Sequence, residues 1–209
     1  MNNRKQMLEI LDILRNKIQN PVCELNFKNT FELLIAVILS AQCTDARVNI
    51  VTKELFKKFK TPMDFVNVDI SVLESYIKSC GFYKNKARNI IKCCEMLCNK
   101  FNGIVPNKLD DLILLPGVGR KTASVVLAVG FNIPAFPVDT HLFRFAKRIG
   151  VYSGNNVEHC EDEYKALVPI KYWIEAHHLI LLFSRYYCKA IKPQCLNCEL
   201  RKYCRFKEN

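Results

Sequence analysis

The chain has 209 residues, half of them hydrophobic, with 31 Lys and Arg against 20 Asp and Glu and a formal net charge of +11. Such a chain is not disordered, and it holds core enough for one domain or two small ones. Its charge favours a polyanionic partner, nucleic acid before membrane. The most apolar stretch, Phe31 to Ala41, is too short to span a bilayer and carries Glu32. The start Met1-Asn2-Asn3-Arg4-Lys5 leads into an amphipathic pattern and not into an apolar signal block. Eleven cysteines without an export signal are expected as reduced thiols or metal ligands, in a cytoplasmic monomer.

From Met7, the apolar residues Met7, Leu8, Ile10, Leu11, Leu14 and Ile18 fall at helical spacing and stop near Asn20-Pro21. Thr30 is expected to cap a second helix, apolar nearly all round and therefore buried. Asp45 reads as the N-cap of a third, carrying Val48, Val51, Leu55, Phe56 and Phe59. Ser71 to Ser79 is a short helix closed at Cys80-Gly81. Ala87 to Asn99 follows, with Ile90, Ile91, Met96 and Leu97 inward. After a pair of helices around a glycine turn comes a proline-rich break, Ile133-Pro134-Ala135-Phe136-Pro137. A helix from Asp139 to about Ile149 and two more over Val157–Val168 and Tyr172–Tyr187 complete the chain. Strand-like alternation is scarce, so the fold class is all-α. The break is the expected domain boundary. Periodicity does not decide which part the N-terminal helix joins.

The glycine turn is the most informative stretch. In Leu115-Pro116-Gly117-Val118-Gly119-Arg120-Lys121-Thr122, the proline and two glycines suit a tight turn between helices and not a helix interior. Glycine lets the backbone approach a partner closely, and the N–H groups of the following helix start form a site for a phosphate oxygen. The residues resemble the helix-hairpin-helix element, which holds DNA by its backbone. Gly117, Val118, Gly119 and Arg120 are the DNA-contact candidates.

Cys188, Cys195, Cys198 and Cys204 lie close enough, with a Cys-x-x-Cys at the centre, to hold one metal centre. Zinc and an iron–sulfur cluster both fit thiolate ligands, and spacing does not choose. Lys189 and Lys192 in the same loop offer a second phosphate grip. The other seven cysteines are scattered and read as small core or surface residues.

Lys121 by itself reads as a phosphate contact or a solvated lysine, and Asp139 in Val138-Asp139-Thr140-His141 as an N-cap. A lysine turns nucleophile only in its neutral form, which a neighbouring cation and a helix start favour; Arg120 and the hairpin supply both. A carboxylate near a sugar carbon stabilises the cation formed as a base departs. One amine with one carboxylate is what base excision through a Schiff base requires.

Together Leu115–Thr122, Val138–His141 and the four-cysteine spacing resemble the endonuclease III family of bifunctional DNA glycosylases and AP lyases of bacteria. Further matching stretches are Glu24-Leu25-Asn26-Phe27, Phe31-Glu32-Leu33-Leu34-Ile35-Ala36-Val37, Leu39-Ser40-Ala41-Gln42 with Thr44-Asp45, and Asn102-Gly103 with Val105-Pro106. The resemblance covers essentially the whole chain. It implies a two-domain HhH-GPD glycosylase architecture: a six-helix barrel domain over 22–134, and a discontinuous cluster domain of 1–21 with 135–209, whose cluster loop is 188–204. It implies a [4Fe-4S] cluster on the four cysteines, Lys121 as nucleophile and Asp139 as assisting carboxylate. The implied partner is double-stranded DNA bearing an oxidised pyrimidine or an abasic site, with the damaged base flipped into the groove between the domains. Strand cleavage 3′ to the site by β-elimination follows, and the setting is bacterial cytoplasm at the nucleoid. Gln42 matches the residue that fills the gap left by a flipped base, and Phe82 stands where the family usually has a leucine wedge. His141 and Arg144, one turn into the Asp139 helix, are further DNA-contact candidates.

Two other readings compete. A mismatch adenine glycosylase generally lacks the hairpin lysine and uses a carboxylate before the Gln42 loop; here Lys121 is present and no carboxylate lies between Glu32 and Asp45. A non-catalytic DNA-binding module with structural zinc is the alternative from another class.

Overall fold

The computed structural model describes residues 3–206, so the expected domain ends at 1–2 and 207–209 lie outside the described residues. Among those described there are helices and turns but no strand. Helix α1 (Arg4–Lys17) is started by an Asn3–Gln6 capping box and buries Met7, Ile10, Leu11 and Leu14. Helix α2 (Thr30–Ser40) is capped by Asn29 and not by Thr30: the Asn29 Oδ1 accepts from Glu32 N at 2.9 Å, and Thr30 takes the first helical position. Helix α3 (Asp45–Lys58) is likewise capped one residue earlier than expected, by Thr44. Asp45 sits in its first turn, where a negative charge meets the positive helix end.

Periodicity does not reveal α4 (Pro62–Val66), because one turn gives no repeat. Its signals are Pro62 at the first position and a Thr61–Asp64 capping box, in which Asp64 accepts from both Lys60 N and Thr61 N. Helix α5 (Ile70–Ile77) ends short of the expected Ser79. Helix α6 (Tyr83–Phe101) begins four residues before Ala87, since the polar run Lys84-Asn85-Lys86 hides its first turn. Its inward face is Lys86, Ala87, Ile90, Cys93, Cys94 and Leu97; Ile91 and Met96 are only half-buried. Then come α7 (Leu109–Ile113), α8 (Arg120–Val125) running into a π-turn at Val126–Gly130, α9 (Thr140–Ile149), α10 (Val157–Leu167) and α11 (Trp173–Tyr186).

The chain divides into two compact units, Glu24–Ile133 and Met1–Cys23 with Pro134–Asn209. In the first, α2 is the centre: every residue from Phe31 to Leu39 is buried, against α3, α6, α8 and the π-turn. At the π-turn the backbone of Gly130 comes so close to α2 that a Cβ there would stand 3.0 Å from Leu33. In the second unit, α1 packs with α10 and α11 around Phe136, Leu142, Phe145 and Tyr164. Phe136 stacks on Tyr164 at 4.9 Å, and the Tyr164 hydroxyl donates to Leu142 O at 2.9 Å, satisfying the one polar atom of a fully buried ring. Arg15 grips Glu175 through two 2.8 Å bonds. No single helix among the described residues is long and apolar enough to cross a membrane.

Candidate active site and DNA-contact elements

The hairpin is built from its two buried anchors. Leu115 and Val118 point into the core, leaving Gly117, Gly119, Arg120 and Lys121 exposed between and beyond them. The turn is closed by Leu115 N→Leu112 O at 3.1 Å and Val118 N→Leu115 O at 3.0 Å. Gly117 has φ +81°, and a Cβ there would meet the Asn89 Cβ of α6 at 3.0 Å, so both backbone and space demand glycine. Gly119 is different. Its φ is ordinary, and a Cβ would meet nothing within 4 Å, so its face is open to a partner's backbone. Gly119 is the N-cap of α8, and no side chain caps that helix start. Lys121 stands in this exposed first turn.

Within the same unit a second constellation forms at the α2 end. Gln42 and Phe82 are both exposed and both hold a left-handed backbone, φ 51° and 57°. Phe82 occupies the N-cap position of α6, so its ring, 65% exposed, is presented at a helix start. The two turns touch: a Cβ on Gly81 would lie 3.1 Å from the Gln42 carbonyl oxygen. Beneath them Lys86, 6% exposed, donates to Leu39 O at 2.8 Å and Ala41 O at 2.6 Å, capping the last carbonyls of α2 and fixing the Gln42 loop. Burial holds this ammonium below the ordinary lysine value. Lys86 is a positioning residue that the sequence reading missed. Its signal was its place one turn before Ile90 on the apolar face of α6.

In the other unit Asp139 caps α9, its Oδ1 accepting from His141 N at 2.8 Å and Leu142 N at 2.9 Å. His141 Nδ1 lies 3.2 Å from the Arg144 guanidinium. That guanidinium also donates to Cys188 O and Ser184 O, at 3.1 and 2.7 Å. Arg144 thus serves the fold, holding the end of α11 against α9.

The four cysteines lie beyond α11, all partly buried, and line one small cavity together with Arg148, Phe183, Tyr187, Pro193 and Phe206. Arg148, 9% exposed and also absent from the sequence reading, organises this loop. It donates to Cys188 O, to Cys188 Sγ at 3.2 Å and to Lys189 O, while its guanidinium lies over the Phe206 ring at 4.1 Å. The donor set, four thiols beside a buried cation, fits an anionic thiolate-bound group. No three His, Cys, Asp or Glu side chains among the described residues converge to hold a single metal ion. Lys189 and Lys192 are exposed on the loop, Lys192 with φ 50°.

The structure therefore brings together Gln42 with Phe82, Asp139 with His141 and Arg144, and the four cysteines. Lys121 belongs to the Glu24–Ile133 unit and Asp139 to the other.

These features define a class, the helix-hairpin-helix repair proteins. The family model described as "HhH-GPD superfamily base excision DNA repair protein" matches residues 35–169. Endonuclease III of Bacillus subtilis is 46% identical over 206 residues, covering 98% of this chain and 94% of that protein. Endonuclease III of Escherichia coli K12 is 44% identical, covering 99% and 98%. A solved structure of a trapped endonuclease III–DNA covalent intermediate, an estranged-adenine complex, matches with a TM-score of 0.95 at 48% identity, covering 98% of this chain and 97% of that one. The chain belongs to the endonuclease III family. It is a base-excision DNA repair enzyme, a DNA glycosylase and AP lyase.

Proposed function

We propose that this enzyme removes oxidised pyrimidines from duplex DNA through Lys121 and nicks the strand 3′ to the resulting abasic sugar. The observation that carries the reading is Lys121 in the exposed first turn of the hairpin's second helix, two residues after Gly119, whose face is open to a partner's backbone. The neutral Lys121 Nζ attacks C1′ of the damaged nucleotide. A C–N bond to lysine forms as the bond to the base breaks, and the departing base takes up a proton; the C1′–O4′ bond then breaks, O4′ takes up a proton, and the opened sugar is held as an iminium. Loss of a C2′ proton from the resulting iminium expels the 3′ phosphate, and water then releases the sugar and restores the amine. Asp139 stabilises the sugar cation while capping α9. Gly117, Val118, Gly119 and Arg120 hold the backbone, with Lys189 and Lys192 as a second grip. Gln42 fills the space of the flipped base, Phe82 wedges beside it, and His141 borders the same DNA.

On a duplex carrying a single thymine glycol, the protein is expected to release the base and leave a 3′ unsaturated aldehyde end. Lys121→Gln should lose both products while still binding an abasic-site analogue. Base release unchanged in that variant would overturn the assignment.

Cys188, Cys195, Cys198 and Cys204 would hold a [4Fe-4S] cluster, which supplies the bond network that a loop with few core residues lacks. Four thiols lining one cavity beside the buried Arg148 suit a thiolate-bound cluster. Protein purified without oxygen should contain about four irons and matching sulfide per chain. One zinc without iron would contradict this.

A further inference from the structure

We propose that Cys43 and Cys80 are a site of reversible oxidation by hydroperoxides, where a disulfide ties the Gln42 loop to the Phe82 turn. Cys43 follows Gln42 directly and Cys80 precedes Phe82 by two residues. The turns that carry them meet, with Gly81 so close to the Gln42 carbonyl oxygen that a Cβ there would lie 3.1 Å from it, and the two thiols interact electrostatically. The pair is asymmetric: Cys43 is partly exposed, Cys80 only 1% exposed. Lys86, anchored on Leu39 O and Ala41 O, interacts electrostatically with both thiols. Cys93 and Cys160 differ from this pair. Both are buried, and burial pushes each thiol up to about 12.

The chemistry follows from the asymmetry. The Cys43 thiolate attacks the peroxide: an S–O bond forms, the O–O bond breaks, and the displaced oxygen leaves protonated as water or an alcohol. The Cys80 sulfur then attacks the Cys43 sulfur. An S–S bond forms, the S–O bond breaks, and the hydroxide leaves as water with the Cys80 proton. Two thiols are oxidised and one hydroperoxide is reduced. Cys43 is the partly exposed sulfur and Cys80 is buried, so the first oxidation falls on Cys43; burial holds the Cys80 thiol up at about 11, and the Lys86 ammonium favours the Cys80 anion needed in the second step.

A disulfide holds its two residues at a fixed separation that free thiols do not impose. Closing it constrains the two turns where Gly81 lies against the Gln42 carbonyl. The oxidised protein therefore carries Gln42 and Phe82 at a fixed spacing and grips abasic DNA less well. This consequence rests on the role given to the two tips above; the cross-link itself does not.

The test treats the full-length holoprotein with a small excess of hydrogen peroxide, alkylates it, digests it and reads the peptides by mass spectrometry. A linked Cys43–Cys80 peptide that dithiothreitol removes is expected. In Cys80→Ser, Cys43 should stop at sulfenic or sulfinic acid, and Cys43→Ser should give no link. Sulfinic Cys43 beside an alkylatable Cys80 in the unmutated protein would overturn the proposal. On an abasic-analogue duplex, oxidation should weaken binding several-fold relative to oxidised Cys43→Ser, with recovery under dithiothreitol; that comparison cancels any damage elsewhere. Unchanged affinity in fully linked protein would overturn the effect on the tips. If the reduced protein did not bind that duplex, the function proposed for the tips would fail while the peptide map still decided the disulfide.

Discussion

Asp139 has a structural role in the fold and a second, chemical role proposed for it. Its Oδ1 accepts two N–H groups of α9, which accounts for an Asp at this position without any catalysis. The two roles separate by substitution. Asparagine caps a helix about as well as aspartate, so Asp139→Asn should melt within a degree or two of the unmutated protein. Having lost the negative charge beside the sugar cation, it should lose on the order of 10²-fold in single-turnover base release. Asp139→Ala should lose activity and also about 1 kcal/mol of stability. If Asp139→Asn excised within a few-fold of normal, Asp139 would be a cap alone.

At the scale of elements, the hairpin was readable because proline and glycine act locally: Gly117 needs its φ of +81° whatever surrounds it. The close fit of Gly117 against Asn89, 28 positions earlier, was not readable, since it depends on how α6 packs. Helix starts were misplaced by one residue at α2 and α3, because Asn-Thr and Thr-Asp each offer two capping side chains and backbone geometry selects the first. Helix α11 carries a pH dependence of its own. His178 is 5% exposed with Nδ1 2.9 Å from Ile174 O, and burial holds its ring below the ordinary 6.5. The unfolded chain therefore binds the proton more tightly than the folded one. Stability from the neutral ring is complete above pH 6.5 and falls as pH drops from there toward the lower folded value. Melting temperature should decline on acidification from pH 7.5 to 5.5, and His178→Gln should flatten that decline. An equally steep profile in the variant would assign the effect to other groups, of which Glu175 beside Arg15 is one that loses its pairing only at lower pH.

For the whole molecule, the sequence carried the all-α class, the buried α2 and the chemistry-bearing residue types. It did not carry the two buried cations that hold them. Lys86 and Arg148 look like surface charges in a chain with a net charge of +11, yet one fixes the Gln42 loop and the other the cysteine loop. Both act through backbone carbonyls 40 or more positions distant, and no local pattern encodes such partners. The central claim is that Lys121 forms the covalent bond to DNA. Sodium borohydride added during turnover on a thymine-glycol duplex reduces the iminium and freezes the adduct. Digestion and mass spectrometry should then find the sugar remnant on Lys121. A remnant on another lysine, or an undiminished adduct in Lys121→Gln, would contradict the account.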